Sequence, residues 1–341
     1  MELKSGRDKR NSVSGAAAAL GITSLLEACP RRNTVIALNY HRIGDWLDTQ
    51  YDEEVFSADE ENFAAQLRLL KRMTTVVSLD EALDLLLRAK PFRGTVTLIT
   101  FDDGYLDNYQ RAFPLLRNAG LPATFFLVTS FIGSNVVPWW DQLAGLVRGS
   151  ELSQVHIDYP YPKSLRLGTG RRAIAIKQAN RLYRSSPDSV KFLEHLQVAL
   201  KSSNGISQKR RFLNWSEARE MANQGMDIGV QTHTHCWLSR LSLEEQVREL
   251  ETSRHLLEDG LKRRIDVMAY PYGAKDSFNS DSFLALKKTG YRAAFSYYGG
   301  LNVAGKLNPF NLMRFGVDRT ITPARYRLRL ATAPLLDGYW F

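Results

Sequence analysis

Apolar segments of strand length alternate with amphipathic helices along most of the chain, and this alternation is what most restricts its fold. Repeated strand–helix units are typical of parallel α/β folds, because a parallel strand returns to its sheet through a crossover helix. We predict strands at Val35–Tyr40, Thr95–Thr100, Ala123–Val128, Met226–Gln231, Ile265–Tyr270, Ala293–Tyr297 and Met313–Val317. About seven such units, with polar residues gathered after the strands, favour a barrel over an open doubly wound sheet.

Capping boxes mark the start of two predicted helices. Ser78 with Glu81, and Ser242 with Glu245, have the spacing at which an N-cap hydroxyl and a third-position glutamate satisfy each other's backbone N–H groups. We also predict a helix over Asn108–Asn118, which Gly120 ends.

Polar residues that follow the predicted strands are the candidate functional residues. His41, the pair Asp102 and Asp103, residues 231–235 and residues 270–273 all lie at strand ends. Adjacent residues of an extended chain point in opposite directions, so the two carboxylates can take different roles, one binding a metal and one taking a proton. Asp-Asp-Gly alone is equally typical of a turn. Together with histidines at one barrel mouth, the carboxylates suit a divalent metal that activates water for hydrolysis.

The formal charge of +9 on this 341-residue chain is concentrated in one segment. Residues 148–211 contain 13 Lys or Arg against 4 Asp or Glu, which accounts for the whole excess. Such a segment is either a surface for an acidic partner (an anionic polysaccharide, a phospholipid or a nucleic acid) or a solvated helical insertion, and we favour the insertion. We find no nucleic-acid-binding motif, and two cysteines do not make a disulfide framework.

The N-terminal segment, residues 1–33, is basic at its start and moderately apolar after Val13. It loosely imitates a signal peptide, but Glu27 argues against secretion, and no run of 18 apolar residues suggests a membrane span. The alternative is a helix packed on the domain or lying on a membrane. We therefore expect a cytoplasmic protein, with peripheral membrane contact through this segment or the basic insertion left open. The expected barrel domain covers residues 34–334, with 148–211 inserted and 335–341 as a tail.

Several motifs together resemble polysaccharide deacetylases of the NodB-homology type, carbohydrate esterase family 4. The motifs are Thr100-Phe-Asp-Asp-Gly104, the segment ending at His235 with Leu238, Leu241 and Ser242 after it, Tyr270-Pro-Tyr-Gly273, Ala112-Phe-Pro-Leu-Leu116 and Leu121-Pro-Ala-Thr-Phe-Phe126. The resemblance covers roughly residues 35–330. It implies a distorted (β/α)₇ TIM-like barrel and metal-dependent removal of acetyl groups from an acetylated polysaccharide or oligosaccharide, usually from N-acetylglucosamine-type units.

The resemblance also assigns catalytic roles. The first Asp of the motif, Asp102, would be the general base, and Asp103 would be a metal ligand. The catalytic acid is a histidine that in many members lies near the C-terminus, where this chain has none after His255. A strand ending in Tyr-His resembles the circularly permuted members that act on bacterial exopolysaccharides, so His41 is the expected acid.

The metal motif departs from the family at one position. The family has His-[Ser/Thr]-x-x-His, and aligned on His235 the first histidine is replaced by Gln231. Either the Gln231 oxygen binds the metal, or His233 substitutes, or the site is impaired and the protein is a carbohydrate-binding relative. The expected metal is zinc, with cobalt or manganese as alternatives; the sequence does not fix the oligomeric state.

Four further residues are candidates for substrate contact or for stabilising the oxyanion: Pro271 and Tyr272, the latter through its backbone N–H, and Trp215 and Leu238, which would line a groove for the acetyl methyl. Core packing is an equally good explanation of Trp215 and Leu238. Many family members have an Arg at the position of Ala269 that orients the catalytic Asp. Arg314, in a predicted strand, could replace it, or could be a surface charge.

Overall fold

The structure, a computed structural model, describes residues 2–28, 34–47, 49–88, 92, 94–202, 209–304 and 307–333, with only the backbone at residues 2–8 and 28. The expected tail 335–341 and Cys29 lie outside these residues. The chain divides into two compact units. The first contains residues 1–44, 57–134 and 212–341, and the second contains residues 45–56 and 135–211.

The strands are β1 Thr34–Tyr40, β2 Arg42–Ile43, β3 Phe56–Ala58, β4 Thr75–Val76, β5 Thr95–Phe101, β6 Thr124–Leu127, β7 Gln154–Ile157, β8 Lys163–Arg166, β9 Asp227–Val230, β10 Val267–Ala269, β11 Ala293–Phe295, β12 Asn302–Val303 and β13 Arg314–Gly316. The α-helices are α1 Glu2–Ala19, α2 Ile22–Ala28, α3 Glu60–Met73, α4 Leu79–Leu87, α5 Phe113–Ala119, α6 Trp139–Gly149, α7 Arg172–Ser185, α8 Ser189–Leu200, α9 Trp215–Asn223, α10 Leu243–Leu261, α11 Ser280–Lys288 and α12 Pro323–Thr332.

Parallel strands form the sheet of the first unit. Their order is β11-β10-β9-β6-β5-β1, and every neighbouring pair in this row is parallel. The three-residue strand β13 pairs in parallel with β1, while Leu312, just before it, bridges in parallel to Phe295 at the end of β11. The row therefore closes on itself, and the seven strands of the predicted (β/α)₇ barrel are confirmed.

Burial on both faces explains why the long strands carry no charge. Every residue of β1 and β5 is buried. Alternate side chains of β1 enter different core clusters, Ile36 and Leu38 in one and Val35 and Ala37 in the other, as the two-residue repeat of a strand requires. Such strands read as continuous apolar or β-branched runs, which is how the sequence identified them.

Capping signals in the sequence predicted where two helices start. Both expected capping boxes, Ser78 with Glu81 and Ser242 with Glu245, are present. The helix expected over 108–118 differs: it begins as a π-helical turn, Asn108–Ala112, and continues as α5. A turn of this kind depends on tertiary packing, so the sequence pattern does not reveal it.

The N-terminal helices α1 and α2 belong to the first unit and pack against α12. Arg327 of α12 forms a two-pronged ion pair with Glu27, at 2.6 and 2.8 Å, and the Asn11 amide donates to the Thr320 carbonyl. In the described part of the chain, no helix combines the length and the apolar character that crossing a membrane requires.

The second unit has its own core, formed by α6, α7, α8 and the antiparallel β7–β8 hairpin. It contains the expected insertion 148–211 but begins earlier, at residue 135, and takes in residues 45–56. Apolar residues of α6, such as Leu143 and Val147, belong to this core. The backbone N–H of Asp52 donates to Asp141 Oδ1 at 3.0 Å, which fastens the earlier segment to α6.

Candidate active site

The carboxyl ends of five barrel strands carry the candidate residues. His41 follows β1, Asp102 and Asp103 follow β5, residues 231–235 follow β9, residues 271–273 follow β10, and Tyr297 follows β11 shortly after its end. Because all these strands are parallel, their carboxyl ends lie at one edge of the barrel, where the catalytic residues of such folds are found.

Arg314 holds the carboxylate of Asp102 from the closing strand β13. Its two terminal nitrogens lie 2.7 Å from Asp102 Oδ1 and 2.9 Å from Oδ2. The same guanidinium donates to Thr100 Oγ1 at 3.1 Å and to the Ser296 carbonyl at 3.0 Å, and Arg314 is 0% exposed. A paired fork of this kind fixes the plane of a carboxylate as well as its charge. Arg314 is therefore not a surface charge; it lies where a residue orienting Asp102 has to be.

Asn39 also contacts Asp102, and the sequence did not single it out. Its side-chain amide donates to Asp102 Oδ2 at 2.9 Å. Asparagine is unfavourable inside a strand, and Asn39 is completely buried in β1. A buried amide in an otherwise apolar strand, two residues before His41, was the signal that could have identified it.

Asp103 and His235 face each other within the site. Asp103 Oδ1 lies 3.2 Å from His235 Nε2, and both side chains are buried. Burial alone would raise the pKa of the Asp103 carboxyl, but the hydrogen bond and charge of His235, together with the charge of His41, lower this pKa below its usual value. The influence of His41 shows that its ring lies within electrostatic reach of Asp103.

Gln231 and His233 have other partners. Gln231 Oε1 accepts a hydrogen bond of 2.6 Å from the backbone N–H of Asp103. His233 Nδ1 lies 2.8 Å from Thr129 Oγ1, and its backbone N–H donates to Glu249. Within the described ranges, no three His, Cys, Asp or Glu residues are grouped as metal ligands. The arrangement in which His233 joins Asp103 and His235 is therefore not found among the described residues.

A divalent metal, which the family implies, fits two of these residues. The carboxylate oxygen and the imidazole nitrogen of Asp103 and His235 are ligand types that zinc, cobalt and manganese accept, and they already converge. The position of the third ligand is occupied by the amide of Gln231.

His41 is fixed through its backbone. Its N–H donates to Ser57 Oγ at 2.9 Å, and its carbonyl accepts from the Asn108 side chain at 2.7 Å. The half-buried ring contacts Tyr297 edge to face, with 5.7 Å between ring centroids. Tyr297, which the sequence did not single out, therefore forms one wall beside His41.

The loop after β10 brings Tyr272 beside His235. The two rings meet edge to face at 4.9 Å, and Tyr272 stacks at 3.5 Å on Trp237, a second residue that the sequence analysis missed. Pro271, just before Tyr272, is buried in the same loop. A Cβ on Gly273 would lie 2.5 Å from Tyr297 Cβ, so this position requires glycine.

Leu238 and Trp215 occupy packing positions. Leu238 is 0% exposed and belongs to the main core cluster. Trp215 is partly buried against the same cluster. Its ring packs on Gly260 so closely that a Cβ added to this glycine would lie 2.2 Å from Trp215 Cζ3. Core packing explains both positions without a substrate groove.

Unusual backbone conformations concentrate at this edge. Among the described residues, six non-glycine residues have positive φ. Two of them, Lys201 and Lys262, end helices, and the other four are Asp103, Thr232, His235 and Tyr272. Such conformations cost about 1–3 kcal/mol each and persist where the surroundings enforce them, typically at functional sites.

Comparison with known proteins identifies the family. The family model described as polysaccharide deacetylase matches residues 89–294, more than half of the chain. The Bacillus subtilis protein YxkH is 23% identical over 57% of this chain, which spans only 42% of that relative's length. A poly-β-1,6-N-acetyl-D-glucosamine N-deacetylase of Staphylococcus epidermidis is 24% identical over 78% of this chain and 73% of its own.

Two solved structures share the fold. IcaB from Ammonifex degensii superimposes with a TM-score of 0.58 at 18% identity, covering 89% of this chain and 98% of that one. The Streptococcus pyogenes deacetylase PplD, solved in complex with acetate, gives a TM-score of 0.57 at 17% identity, covering 87% and 97%. From the family match and the barrel together, we conclude that this chain belongs to the polysaccharide deacetylase family.

Proposed function

We propose that this protein hydrolyses acetyl groups, in particular N-acetyl groups, on an exopolysaccharide or its precursor. The observation that carries the proposal is the convergence at one barrel edge of Asp102, gripped by Arg314, with the facing pair Asp103 and His235. The names of the relatives support the substrate class, because the Staphylococcus epidermidis protein is a poly-β-1,6-N-acetyl-D-glucosamine N-deacetylase.

The reaction assigns separate roles to the residues. Asp102 accepts a proton from a water molecule as its oxygen attacks the acetamide carbonyl carbon, while Arg314 and Asn39 keep the carboxylate in one orientation. The backbone N–H of Tyr272 donates to the oxyanion that forms on the carbonyl oxygen. His41 gives its proton to the sugar nitrogen as the carbon–nitrogen bond breaks, which releases acetate and a free amine.

Asp103 and His235 are the proposed ligands of a divalent cation, zinc, cobalt or manganese. When bound, such an ion polarises oxygen atoms and makes water a stronger acid. The Asp103 carboxylate, whose pKa His235 and His41 lower, supplies the negative charge that favours a bound cation.

Acetate release from N-acetylated oligosaccharides tests the proposal, with and without added Zn²⁺, Co²⁺ or Mn²⁺. Asp102→Asn and His41→Ala should each reduce release by about 10²–10⁴-fold, because each removes a proton-transfer group. Asp259→Asn and His255→Ala, at exposed positions of α10, are the matched controls and should leave release unchanged. No release by the unaltered protein from a broad glycan panel, with any of these metals, would refute the proposal.

A second candidate is a carbohydrate-binding relative without catalysis, which the replacement of a family histidine by Gln231 favours. It predicts glycan binding that a chelator does not change. One equivalent of tightly held transition metal in the purified protein would contradict it.

Peripheral contact with an anionic membrane is an additional proposal, based on the N-terminal helices. Val13, Leu20 and Leu25 are 65%, 74% and 71% exposed, and the exposed cations Lys9 and Arg10 lie nearby in the sequence. Apolar side chains next to basic ones suit a negatively charged lipid surface.

Vesicle sedimentation tests this contact. The double variant Leu20→Ser/Leu25→Ser should lose binding to phosphatidylserine vesicles. Val198→Ser/Leu284→Ser, also at exposed apolar positions, should not. Equal sedimentation of both variants would exclude the N-terminal surface as the contact.

A further inference from the structure

The side chain of Gln231 bridges two strands of the barrel. Its own backbone N–H continues the sheet by donating to the Leu127 carbonyl at 2.9 Å, as β9 pairs with β6. Its side-chain oxygen reaches the end of β5, one strand further along, and accepts the Asp103 N–H at 2.6 Å. Both residues are buried, with 1% and 4% exposure.

The backbone N–H of Asp103 needs this acceptor because Asp103 lies beyond the end of β5. The preceding N–H, of Asp102, still donates to the Tyr40 carbonyl in the ladder between β5 and β1. Asp103 lies two residues beyond the end of β5, and its φ of 72° is outside the extended range, so the strand does not continue through it. A buried N–H without an acceptor is costly, so the amide oxygen of Gln231 stabilises the backbone that carries the Asp103 carboxylate.

The same hydrogen bond uses one of the two lone pairs of the Gln231 oxygen and directs this oxygen towards the Asp103 N–H. If its oxygen turned towards a cation bound by Asp103 and His235, the Asp103 N–H would lose its buried partner. An amide oxygen is in addition a weaker ligand than imidazole for zinc-like metals. In the described part of the chain His233 is not grouped with Asp103 and His235 as a set of metal ligands, and its Nδ1 lies beside Thr129 Oγ1 instead.

We infer that Gln231 is a positioning residue for Asp103, and that the cation of this protein is held by two protein side chains, Asp103 and His235. The inference rests on the proposed metal-dependent function. A cation with two protein ligands binds more weakly than one with three and exchanges more readily with the medium. This chain therefore takes up its metal reversibly, according to the supply.

Zinc affinity of the metal-free, full-length protein, measured by competition with a chelator, tests the ligand count. Gln231→His should bind zinc at least about tenfold more tightly than the unaltered protein, since it adds a ligand. His233→Ala should leave the affinity unchanged, and Asp103→Asn should abolish binding. Equal affinity of Gln231→His and the unaltered protein, or a large loss in His233→Ala, would overturn the inference.

Hydrogen exchange in the absence of metal tests the positioning role separately. In Gln231→Leu, the peptide containing Asp103 should exchange faster, while Gln231→Glu, which keeps an acceptor oxygen, should retain slow exchange. Unchanged exchange in Gln231→Leu would refute the positioning role.

Acetate release then separates the two proposals. If Gln231→His binds zinc tightly but neither it nor the unaltered protein releases acetate, the proposed deacetylation fails and the inference on Gln231 survives. If the unaltered protein releases acetate and its zinc affinity matches that of Gln231→His, the inference fails and the deacetylation survives.

Discussion

Replacing Arg314 by methionine is the most demanding test of the site, because Arg314 connects the barrel to the proposed base. Methionine fills much of the volume but leaves Asp102 as a buried carboxylate with Asn39 as its remaining side-chain donor among the bonds described above. Removing one partner of a buried ion pair costs about 3–5 kcal/mol. Two further bonds, to Thr100 and Ser296, add about 1 kcal/mol each. The free energy of unfolding should therefore fall by about 5–7 kcal/mol, a large part of the usual total.

Urea-induced unfolding measures this loss, and a double-mutant cycle assigns it to the pair. Arg314→Met/Asp102→Asn should be less destabilised than the sum of the two single changes by at least about 2 kcal/mol, because the double variant buries no uncompensated charge. Arg314→Lys, which keeps the charge but not the fork, should be intermediate. A loss below about 1 kcal/mol in Arg314→Met, or strictly additive effects, would refute the reasoning.

Three other predictions concern a buried glycine, a carboxyl group and a basic surface. Gly229→Ala should lower the melting temperature, because its Cβ would lie 2.5 Å from the Phe126 ring, and the strain should cost about 1–3 kcal/mol; Gly15→Ala, with open space around it, is the control and should not destabilise. Burial opposes ionisation of Asp318, but hydrogen bonds from Thr320 and the charges of Arg325 and Arg329 outweigh it and lower its pKa. Its contribution to stability should thus be complete above about pH 4 and decline as the pH falls through the lowered value, and urea unfolding of Asp318→Asn against the unaltered protein at several pH values measures it. The basic insertion is the alternative to the N-terminal helices as a membrane contact, and Lys163, Arg166 and Arg171 line a cavity of about 190 Å³ there; Lys163→Glu/Arg166→Glu should weaken sedimentation with anionic vesicles if this alternative holds, and an equal amount of bound protein excludes it.

The sequence predicted the barrel because its information is local. Buried parallel strands are continuous apolar or β-branched runs, and capping boxes such as Ser78 with Glu81 fix helix starts within four residues. The second unit could not be delimited in this way. Its segment 45–56 joins through contacts such as Asp52 with Asp141, which lie 89 residues apart in sequence. Nothing near Asp52 in the sequence indicates that partner.

The candidate site also shows that local sequence signals are predictive, whereas contacts between distant residues are not predicted. Arg314 could be proposed because the family position at Ala269 lacks the usual arginine, and the structure brings Arg314 onto Asp102. The contacts of Gln231 with the Asp103 N–H and of His233 with Thr129 join residues that are more than 100 positions apart in the sequence, and no motif indicates them. Motif spacing identifies which residues reach the barrel edge, but it does not give their hydrogen-bond partners.

The shortness of β13 links the proposed chemistry to the integrity of the ring. Three residues, Arg314–Gly316, pair with β1, and a single bridge, from Leu312 to Phe295, joins this segment in parallel to β11 in the described chain. The hydrogen bond from Arg314 to the Ser296 carbonyl supports the same junction. β13 is the strand that closes the barrel, and its first residue is Arg314, which binds Asp102. If β13 separated locally from its neighbouring strands, Arg314 would leave Asp102. The proposed base would then be disabled although the other strands stayed folded. The contacts of Arg314 with Asp102 and with the Ser296 carbonyl therefore stabilise the closure of the barrel and the orientation of the proposed base together.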